Sequence, residues 1–382
     1  MTQGPDVLPE VLFVWDQFGP YHMDRCEAVG AALEGRAHVV GVELAEASST
    51  YAWSASGVGK NFEKRTLFPG ATMETLSTVA IARALMSEVT RPATSAVFFA
   101  GYERPSHFAA AISARMRGVR TIVMLDSKYD DKPRKAWLET AKRGLMLPYS
   151  GGFASGRRSR EYLHHLGLGH RLVTEGYDSV SIARVRHLAA SIEPQPWDAR
   201  PFLAVARFVP KKNLSLLLDA YALYCARVDR PRELQLCGGG PLEGELRQQA
   251  ERLGIGEHVR FFGFVGPEKV AGLMRGALCL ALPSVEEQWG LVINEALAFG
   301  LPLIVSPGIG ATDTLALHGE NALTVPPGDT SGWADALVRL GSDRELHDRL
   351  SARSAQLAPS GDVAAFVDGV RPHIADLVRN PL

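Results

Sequence analysis

The sequence carries no excess of charge of either sign. It has 41 lysines and arginines against 42 aspartates and glutamates, which gives a net charge of −1 over 382 residues. A chain without a net field is not drawn as a whole to nucleic acid or to an anionic membrane, so we expect no nucleic-acid partner. A local basic patch for lipid headgroups stays compatible with this balance.

Long apolar runs are also missing. No stretch approaches the roughly 20 apolar residues of a membrane-spanning helix, which leaves peripheral contact as the form of membrane association open to the chain. Residues 1–10 are polar and contain proline, whereas a signal peptide has a basic segment followed by an apolar one. The four cysteines show no metal-binding spacing, and Cys237 and Cys279 stand in apolar runs typical of buried thiols. These features predict a cytoplasmic protein.

Two common nucleotide-binding motifs are absent. The first predicted strand runs into residues 16–20 without a GxGxxG sequence, and no Walker lysine motif occurs in the chain. The glycine run Gly238–Pro241 has no acidic residue placed for a ribose. A nicotinamide-dependent dehydrogenase is therefore disfavoured.

Short apolar runs alternate with amphipathic helical patterns along the whole chain, which is typical of βα units on parallel sheets. A chain of this length exceeds one ordinary core, and the proline-punctuated polar segment 191–197 divides it. We predict an α/β fold of two Rossmann-like doubly wound domains that face a central, ligand-binding cleft. The first domain spans residues 1–192 and the second 198–360, and a helix within 361–382 crosses back to the first.

The predicted strands and helices are short. Strands are expected at 11–15, 38–43, 96–100, 121–125, 152–154, 202–206, 233–237, 259–262, 278–282, 303–305 and 322–324. Helices are expected at 22–33, 75–90, 107–117, 137–145, 158–166, 214–227, 242–253, 267–275, 291–299, 330–340 and 363–378.

Two glutamates enclose a predicted helix start in the second half of the chain. Gly290 lets the backbone approach a ligand, and the amides of Gly290, Leu291 and Val292 open the helix. Such an N-terminus attracts phosphate through its free N–H groups and the helix dipole. Glu295, one turn further on, is placed to accept hydrogen bonds from a vicinal diol such as a ribose, and Glu287 lies on the other side of the phosphates. The alternative is that both are ordinary acids near a helix start.

Two cations follow the first strand of the second predicted domain. Arg207 and Lys212 straddle a turn at the carboxyl end of that strand, which is the ligand edge of such a sheet. A guanidinium and an ammonium stabilise the charge that grows on a diphosphate leaving group. Alone, both residues would be read as solvated surface charges.

Together these motifs resemble the retaining GT-B glycosyltransferases with an E-x7-E motif, glycosyltransferase family 4 or glycosyl transferases group 1. The resemblance spans roughly residues 200–330, and in the first half it is limited to Gly19, the turn 176–178 and the layout. The motifs that carry it, in order, are Arg207 to Lys212, Gly238–Pro241, Val259–Gly263, Pro283-Ser284, Glu287 to Glu295, Gly300–Pro302 and Gly319 to Asp329.

The resemblance implies a nucleoside-diphosphate sugar as donor, with UDP as the nucleotide most common in the family. It assigns Arg207 and Lys212 to the pyrophosphate, Glu295 to the ribose and Glu287 to the transferred sugar. Gly19 would close against the same phosphates. The remaining donor-binding positions that it implies are Gly239, Trp289, Gly290, Leu291 and Val292.

The same resemblance implies transfer with retained anomeric configuration, without a metal or another cofactor. No DxD sequence stands where a divalent cation would be needed, and Asp130-Asp131 lies in the other half of the chain. Arginine, lysine and the helix N-terminus would replace the metal, and the departing phosphate oxygen would take the acceptor proton. Glu287 is then expected to position the sugar rather than attack it. The expected acceptor is a small molecule, a glycan or a lipid-linked acceptor.

The first domain departs from the family. Many members carry a histidine after its fourth strand, whereas here that strand ends in Asp126, which would meet the acceptor hydroxyl or the donor sugar, or simply cap the next segment. Lys132 and Arg134 would either contact an anionic acceptor or be solvated, and the second is the expectation. Further acceptor-side candidates, each with a structural role as its alternative, are Tyr21, His22, Arg25, Tyr102 with Glu103, and His107.

Three alternatives share the architecture. A nucleotide-sugar epimerase would release free nucleotide and an altered sugar without an acceptor. A glycan phosphorylase would need a pyridoxal-phosphate lysine and usually a longer chain. A non-enzymatic sensor of nucleotide sugars would show no turnover when an acceptor is present.

Overall fold

The computed structural model describes residues 8–48 and 57–378. The chain divides into two compact units. Unit 1 comprises Met1–Ser181 together with Val363–Leu382, and unit 2 comprises Ile182–Asp362. Each unit contains one sheet whose neighbouring strands run parallel, with helices in the connections. The α/β prediction is therefore confirmed.

Unit 1 contains a seven-stranded sheet in the order β3-β2-β1-β4-β5-β6-β7. Its strands are β1 (Glu10–Trp15), β2 (His38–Ala47), β3 (Glu63–Thr72), β4 (Thr94–Ala100), β5 (Arg120–Leu125), β6 (Gly151–Ala154) and β7 (Leu172–Glu175). Its first helices are α1 (Pro20–Ala32), α2 (Thr78–Val89), α3 (Pro105–Met116), α4 (Ala136–Leu145) and α5 (Arg157–Leu163). The central strands are buried on both faces, and for this reason β1 is almost wholly apolar.

Unit 2 contains a six-stranded sheet in the order β10-β9-β8-β11-β12-β13. Its strands are β8 (Phe202–Val205), β9 (Leu234–Cys237), β10 (Val259–Gly263), β11 (Cys279–Leu282), β12 (Leu303–Val305) and β13 (Ala322–Thr324). Its helices are α6 (Ile182–Leu188), α7 (Leu214–Cys225), α8 (Glu243–Arg252), α9 (Pro267–Gly276), α10 (Leu291–Ala298), α11 (Thr330–Ser342) and α12 (Arg344–Leu357). Trp333 and Tyr221 are the largest side chains buried between this sheet and its helices.

The last helix, α13 (Val363–Ile374), belongs to unit 1. Its Phe366 ring packs against Phe13 and Phe153, with ring centroids 5.5 and 4.9 Å apart. The two units divide between Ser181 and Ile182, before the predicted domain end at 192. The reason is that α6 packs on α9 and α10, and the Nε of its Arg186 donates a hydrogen bond to the Ala298 carbonyl at 2.7 Å.

In each sheet the chain first adds strands toward one edge and then, from a central pair of neighbouring strands, toward the other edge. We call this place the reversal point of the sheet. In unit 1 this point lies between β1 and β4, and in unit 2 between β8 and β11. Loops that follow such strands diverge, and the crevice they leave at the carboxyl edge is where open α/β sheets bind ligands. Across the described parts of the chain, every helix is too short or too polar to traverse a lipid bilayer.

Candidate functional site

The loops that follow β8 and β11 are bonded to each other at the reversal point of unit 2. The Val285 amide donates to the Lys211 carbonyl at 2.9 Å, and Nδ2 of Asn213 donates to the Pro283 carbonyl at 3.2 Å. Asn213 holds a left-handed backbone conformation with φ of 55°, which ends the short turn Pro210–Lys212 and starts α7. These contacts bring Lys212 to the loop that carries Glu287.

Lys212 and Glu287 form an ion pair between Nζ and Oε2. Their side chains are only 10% and 18% exposed, so the charges attract each other more strongly than a surface pair would. The neighbouring pair, Lys211 with Glu286, has its Nζ and Oε1 3.3 Å apart and is more exposed. The sequence predicts Lys212 and Glu287 as separate ligand contacts, and the structure brings them together as one unit.

Helix α10 starts directly beside this pair. Its N-cap residue, Gly290, has φ of 99°, and a Cβ there would lie 3.2 Å from the Ile309 side chain and 3.4 Å from that of Glu287. Only glycine fits both the conformation and the space. The Ile293 amide donates to the Gly290 carbonyl at 2.8 Å, and the partly exposed Leu291 and Val292 open the helix. The helix start thus presents its amides and the positive end of its dipole.

Trp289 and three residues that the sequence analysis does not name, Asn294, Gly310 and Gly361, hold this helix start. Nε1 of Trp289 donates to Oδ1 of Asn294 at 3.0 Å, and Nδ2 of Asn294 donates to the Gly361 carbonyl at 3.0 Å. A Cβ on Gly310 would lie 1.8 Å from the Gln288 carbonyl oxygen, so this close contact requires glycine. The Trp289 ring is therefore a buried support. An asparagine in an apolar helical segment is the sequence signal for these side-chain hydrogen bonds, because its buried amide needs partners.

The glycine loop after β9 is locked against the loop that carries Arg207. A Cβ on Gly238 would lie 1.9 Å from the Ala206 carbonyl oxygen, and the Phe208 amide donates to the Gly239 carbonyl at 2.8 Å. Arg207 itself is exposed, and within the described parts of the chain its guanidinium forms no ion pair. The arrangement leaves a cation accessible at the same edge as Lys212.

Glu295 lies on α10 near the end of β9. Burial raises the pKa of the Cys237 thiol to about 11, and the negative charge of Glu295 adds to that rise. The Glu295 side chain is partly exposed. The structure therefore brings Glu295, Arg207, Lys212, Glu287 and the α10 start to one edge of unit 2.

In unit 1, Gly19 and His22 cap helix α1. The Gly19 amide donates to Nδ1 of His22 at 2.9 Å, and the imidazole lies against the ring of Trp15 with centroids 4.7 Å apart. Burial, and secondly the charge of Arg25, hold the pKa of His22 well below its usual range. His22 is thus a neutral capping residue, and its role as an acceptor ligand stays a prediction. Tyr21 is half-buried beside it.

Arg25 is also a structural residue. It is 1% exposed and donates to Oδ1 of Asp178 and to the Ser179 carbonyl, both at 3.1 Å. Its guanidinium lies 5.1 Å from the centre of the Tyr177 ring. The structure thus gives the Arg25 side chain a role in a buried ion pair inside unit 1, and its contact with an acceptor stays a prediction.

Asp126 follows β5 and is half-buried at the carboxyl edge of the unit 1 sheet. Burial raises its pKa to about 7, and the nearby negative charge of Asp178 adds to this rise. Asp178 is held by Arg25 and by Oγ of Ser155, which donates to its Oδ2 at 2.7 Å. Asp126 is therefore a carboxyl group that exchanges a proton near neutral pH.

Tyr102 and His107 are buried, contrary to the prediction that they meet an acceptor. Burial raises the pKa of Tyr102, and it lowers the pKa of His107 to about 4. Nε2 of His107 has no hydrogen-bond partner in the described residues. Arg134, predicted to be solvated, lies over the Tyr162 ring 4.5 Å from its centre, whereas Lys132 and Glu103 are exposed.

Among residues 8–48 and 57–378, no three side chains of histidine, cysteine, aspartate or glutamate are grouped so that they would hold a metal ion.

Residues 191–357 match the family described as glycosyl transferases group 1. A D-inositol 3-phosphate glycosyltransferase of Corynebacterium urealyticum is 36% identical over 191 residues, which are 48% of this chain and 44% of the relative. A phosphatidyl-myo-inositol mannosyltransferase of Mycobacterium leprae is 36% identical over 148 residues, 38% of each protein. The chain thus matches less than half the length of these curated relatives.

Solved structures resemble the chain over almost its whole length. Alr3699/HepE of Anabaena, solved with UDP and glucose, has a TM-score of 0.70 at 18% identity and covers 96% of this chain, with 100% of its own length matched. A sucrose-phosphate synthase of Thermosynechococcus elongatus has a TM-score of 0.69 at 16% identity and covers 95% of this chain, with 98% of its own length matched. These likenesses establish the GT-B fold of two Rossmann-like domains. The chain therefore has the GT-B fold, and its residues 191–357 match the glycosyl transferases group 1.

Proposed function

We propose that this protein transfers a sugar from a nucleoside-diphosphate sugar to a small-molecule, glycan or lipid-linked acceptor. The observation that carries the proposal is the Lys212–Glu287 ion pair beside the start of α10, at the reversal point of the unit 2 sheet. The family match includes both residues, and the matched relatives named above are described as glycosyltransferases.

The positive groups of the site suit a diphosphate. Arg207 offers an exposed guanidinium with five N–H donors, and the ammonium of Lys212 has three, of which Glu287 uses part. The α10 start adds backbone amides and the positive end of a helix dipole. Phosphate oxygens that bind here would accept hydrogen bonds from Arg207, from the part of Lys212 that Glu287 does not use, and from the α10 amides.

Two observations support UDP as the nucleotide of the donor: the position of Glu295 and the ligand of a solved structure with the same fold. The partly exposed carboxylate of Glu295 lies one helical turn beyond Gly290, within reach of the hydroxyls of a ribose whose phosphates lie on the α10 amides. Alr3699/HepE, which shares the fold, has been solved with UDP-glucose. We therefore propose a UDP-linked sugar as the donor.

The ion pair also bears on the mechanism. A carboxylate that is already bonded to an ammonium is a poor nucleophile, so Glu287 is proposed to orient the sugar and Lys212. We propose transfer with retained configuration and without a metal, in which Arg207, Lys212 and the α10 amides stabilise the leaving diphosphate. The leaving phosphate oxygen then takes the proton of the acceptor hydroxyl. Asp126, with its raised pKa, is proposed to contact that hydroxyl.

Release of UDP in the presence of a panel of acceptors tests this proposal. Lys212→Ala should lower the rate by two or more orders of magnitude, as expected when a preorganised charge partner is removed. Lys211→Ala is the matched control, because this neighbouring lysine pairs with Glu286 at a more exposed position, and its rate should stay near that of the wild type. Equal rates in both variants would contradict the proposal.

The second candidate, a nucleotide-sugar epimerase of the same fold, predicts a different product. It would release UDP and an altered sugar with no acceptor in the reaction. The transferase descriptions of the matched relatives favour sugar transfer.

A further inference from the structure

Helix α4 of unit 1 exposes a large aromatic side chain and buries a charged one. Trp137 is 70% exposed, whereas Glu139, two positions later, is 4% exposed. Folded proteins ordinarily show the reverse, because burial of an aromatic ring is favourable and burial of a carboxylate is costly. The arrangement therefore calls for a physical reason.

The buried carboxylate is fully engaged. Glu139 accepts a hydrogen bond from the Tyr162 hydroxyl at 2.8 Å and one from Nζ of Lys142 at 3.0 Å, and Nη1 of Arg134 lies 3.8 Å away. This network fixes the rotation of α4 about its own axis. Since neighbouring residues on a helix point about 100° apart, the inward direction of Glu139 carries Trp137 outward. The exposure of Trp137 is thus built into the fold.

Two other apolar side chains near Trp137 in the sequence are exposed as well. Leu138 is exposed, and Leu147, just beyond the end of α4, is 71% exposed. Residues 137 and 147 lie about 15 Å apart along a helical rise. We use the name α4 face for the exposed side chains of Trp137, Leu138, Leu147, Lys132, Lys135 and Arg143.

The exposed charges of the α4 face are all positive. Between residues 132 and 147 the only acidic residue is Glu139, which is buried, whereas Lys132, Lys135 and Arg143 are exposed. The closest acids in the sequence are Asp131 and Asp130 on one side, which are paired with Lys128 and Arg158, and the exposed Glu161 of α5 on the other. An apolar strip bordered by cations complements an anionic, amphipathic surface.

We propose that the α4 face docks on an anionic membrane surface, with α4 parallel to the bilayer plane. Trp137 and Leu147 enter the boundary between headgroups and acyl chains, and Lys132, Lys135 and Arg143 contact lipid phosphates. Tryptophan is enriched both at this boundary and at protein–protein interfaces, but lysine is depleted from protein–protein interfaces, so the two lysines favour a membrane over a protein partner. This binding does not depend on the proposed sugar transfer.

Flotation of the full-length protein with phosphatidylcholine vesicles, with and without phosphatidylglycerol, tests the proposal at low salt. The wild type should float with the anionic vesicles and stay behind with the neutral ones. Each cation near an anionic surface contributes about fivefold to partition, so Lys132→Glu combined with Lys135→Glu should lower partition more than about tenfold. Trp137→Ala should lower it to a similar degree.

The control variants carry matched changes elsewhere. Met116→Ala removes an exposed apolar side chain of α3, and Arg252→Glu with Arg349→Glu reverses two exposed cations of unit 2. Both should float like the wild type. Thermal unfolding that matches the wild type in every variant establishes that the fold is kept, because all the changed side chains are exposed.

Quenching by brominated lipids provides an independent readout. Fluorescence of the wild type should be quenched by brominated anionic vesicles, and most of that quenching should vanish in Trp137→Phe. Equal flotation of the wild type and Trp137→Ala would overturn the proposal. So would a dimer in sedimentation velocity that Trp137→Ala dissociates, since the α4 face would then belong to a second copy of the chain.

Discussion

Lys212 and Glu287 meet as an ion pair although 75 positions separate them in the chain. Each follows a strand next to the point where the unit 2 sheet reverses direction, and the left-handed turn at Asn213 holds the lysine there. The pair lies beside the start of α10, so the ion pair, the exposed guanidinium of Arg207 and the positive end of a helix dipole share one edge with Glu295. This grouping is the physical basis for proposing a diphosphate ligand.

Glu287→Gln separates a positioning role from a nucleophilic one. If Glu287 orients Lys212 and the sugar, the amide keeps part of that contact, and kcat should fall less than in Glu287→Ala. Intact-mass spectrometry of the wild type during turnover should show no sugar attached to the protein. A covalent adduct that disappears in both variants would assign Glu287 as the nucleophile instead.

Gly290→Ala should lower both stability and nucleotide binding. An L-residue at φ of 99° is strained by about 1–2 kcal/mol, and the added Cβ meets Ile309 at 3.2 Å. The melting temperature should fall by about 2–8 °C. Gly244→Ala on α8, where the Cβ meets open space, is the control and should leave the melting temperature unchanged or higher. An unchanged Gly290→Ala protein would contradict the strained helix start.

Arg25→Ala should destabilise unit 1 without a specific effect on acceptor binding. Removal of the guanidinium leaves Asp178 buried without its cation, which costs about 3–5 kcal/mol. Urea denaturation measures this loss, and Arg117→Ala, an exposed arginine at the end of α3, should change stability by less than about 0.5 kcal/mol. A stable Arg25→Ala protein whose KM for the acceptor alone is raised would instead support contact with an acceptor.

Asp126→Asn should change how stability depends on pH. The pKa of Asp126 is raised to about 7 in the folded protein, against about 4 when unfolded, so between these values the folded state binds the additional proton. Stability contributed by this group is therefore present at low pH and is lost as the pH rises from about 4 to about 7. Asparagine cannot ionise, so the variant should gain stability relative to the wild type over that interval. A constant difference between the two proteins from pH 4 to pH 8 would contradict the raised pKa.

The unit 2 site was predictable because its residues belong to spaced motifs. Lys212, Gly290 and Glu295 follow strands or open a helix, and parallel sheets bring such positions to one edge. The pairing of Lys212 with Glu287 was not predictable from spacing, since it depends on the turn at Asn213. The domain boundary at 182 was missed because α6 belongs to unit 2 through contacts with α9 and α10, which local sequence does not reveal.

The structural roles of isolated polar residues in unit 1 were not predictable either, because their partners lie far away in the sequence. Arg25 finds its partner Asp178 at a separation of 153 positions, which no local pattern shows. Strand β3 was missed because it is an edge strand with charged residues and a Pro-Gly pair, and its Arg65 is held by Glu10 and Glu88. Helix α12 was also missed, although the N-cap Asp343, whose side chain accepts from the Leu346 amide at 2.9 Å, was a readable signal.

The most direct test of the nucleotide site is a thermal-shift panel of UDP, GDP, ADP and dTDP on the wild type, Lys212→Ala and Lys211→Ala. A ligand at about 100 times its dissociation constant adds about 2.7 kcal/mol of stability, which raises the melting temperature by about 5–10 °C. The account predicts this shift with UDP in the wild type and Lys211→Ala, and its loss in Lys212→Ala. No shift with any of the four nucleotides, or an equal shift in Lys212→Ala, would contradict it.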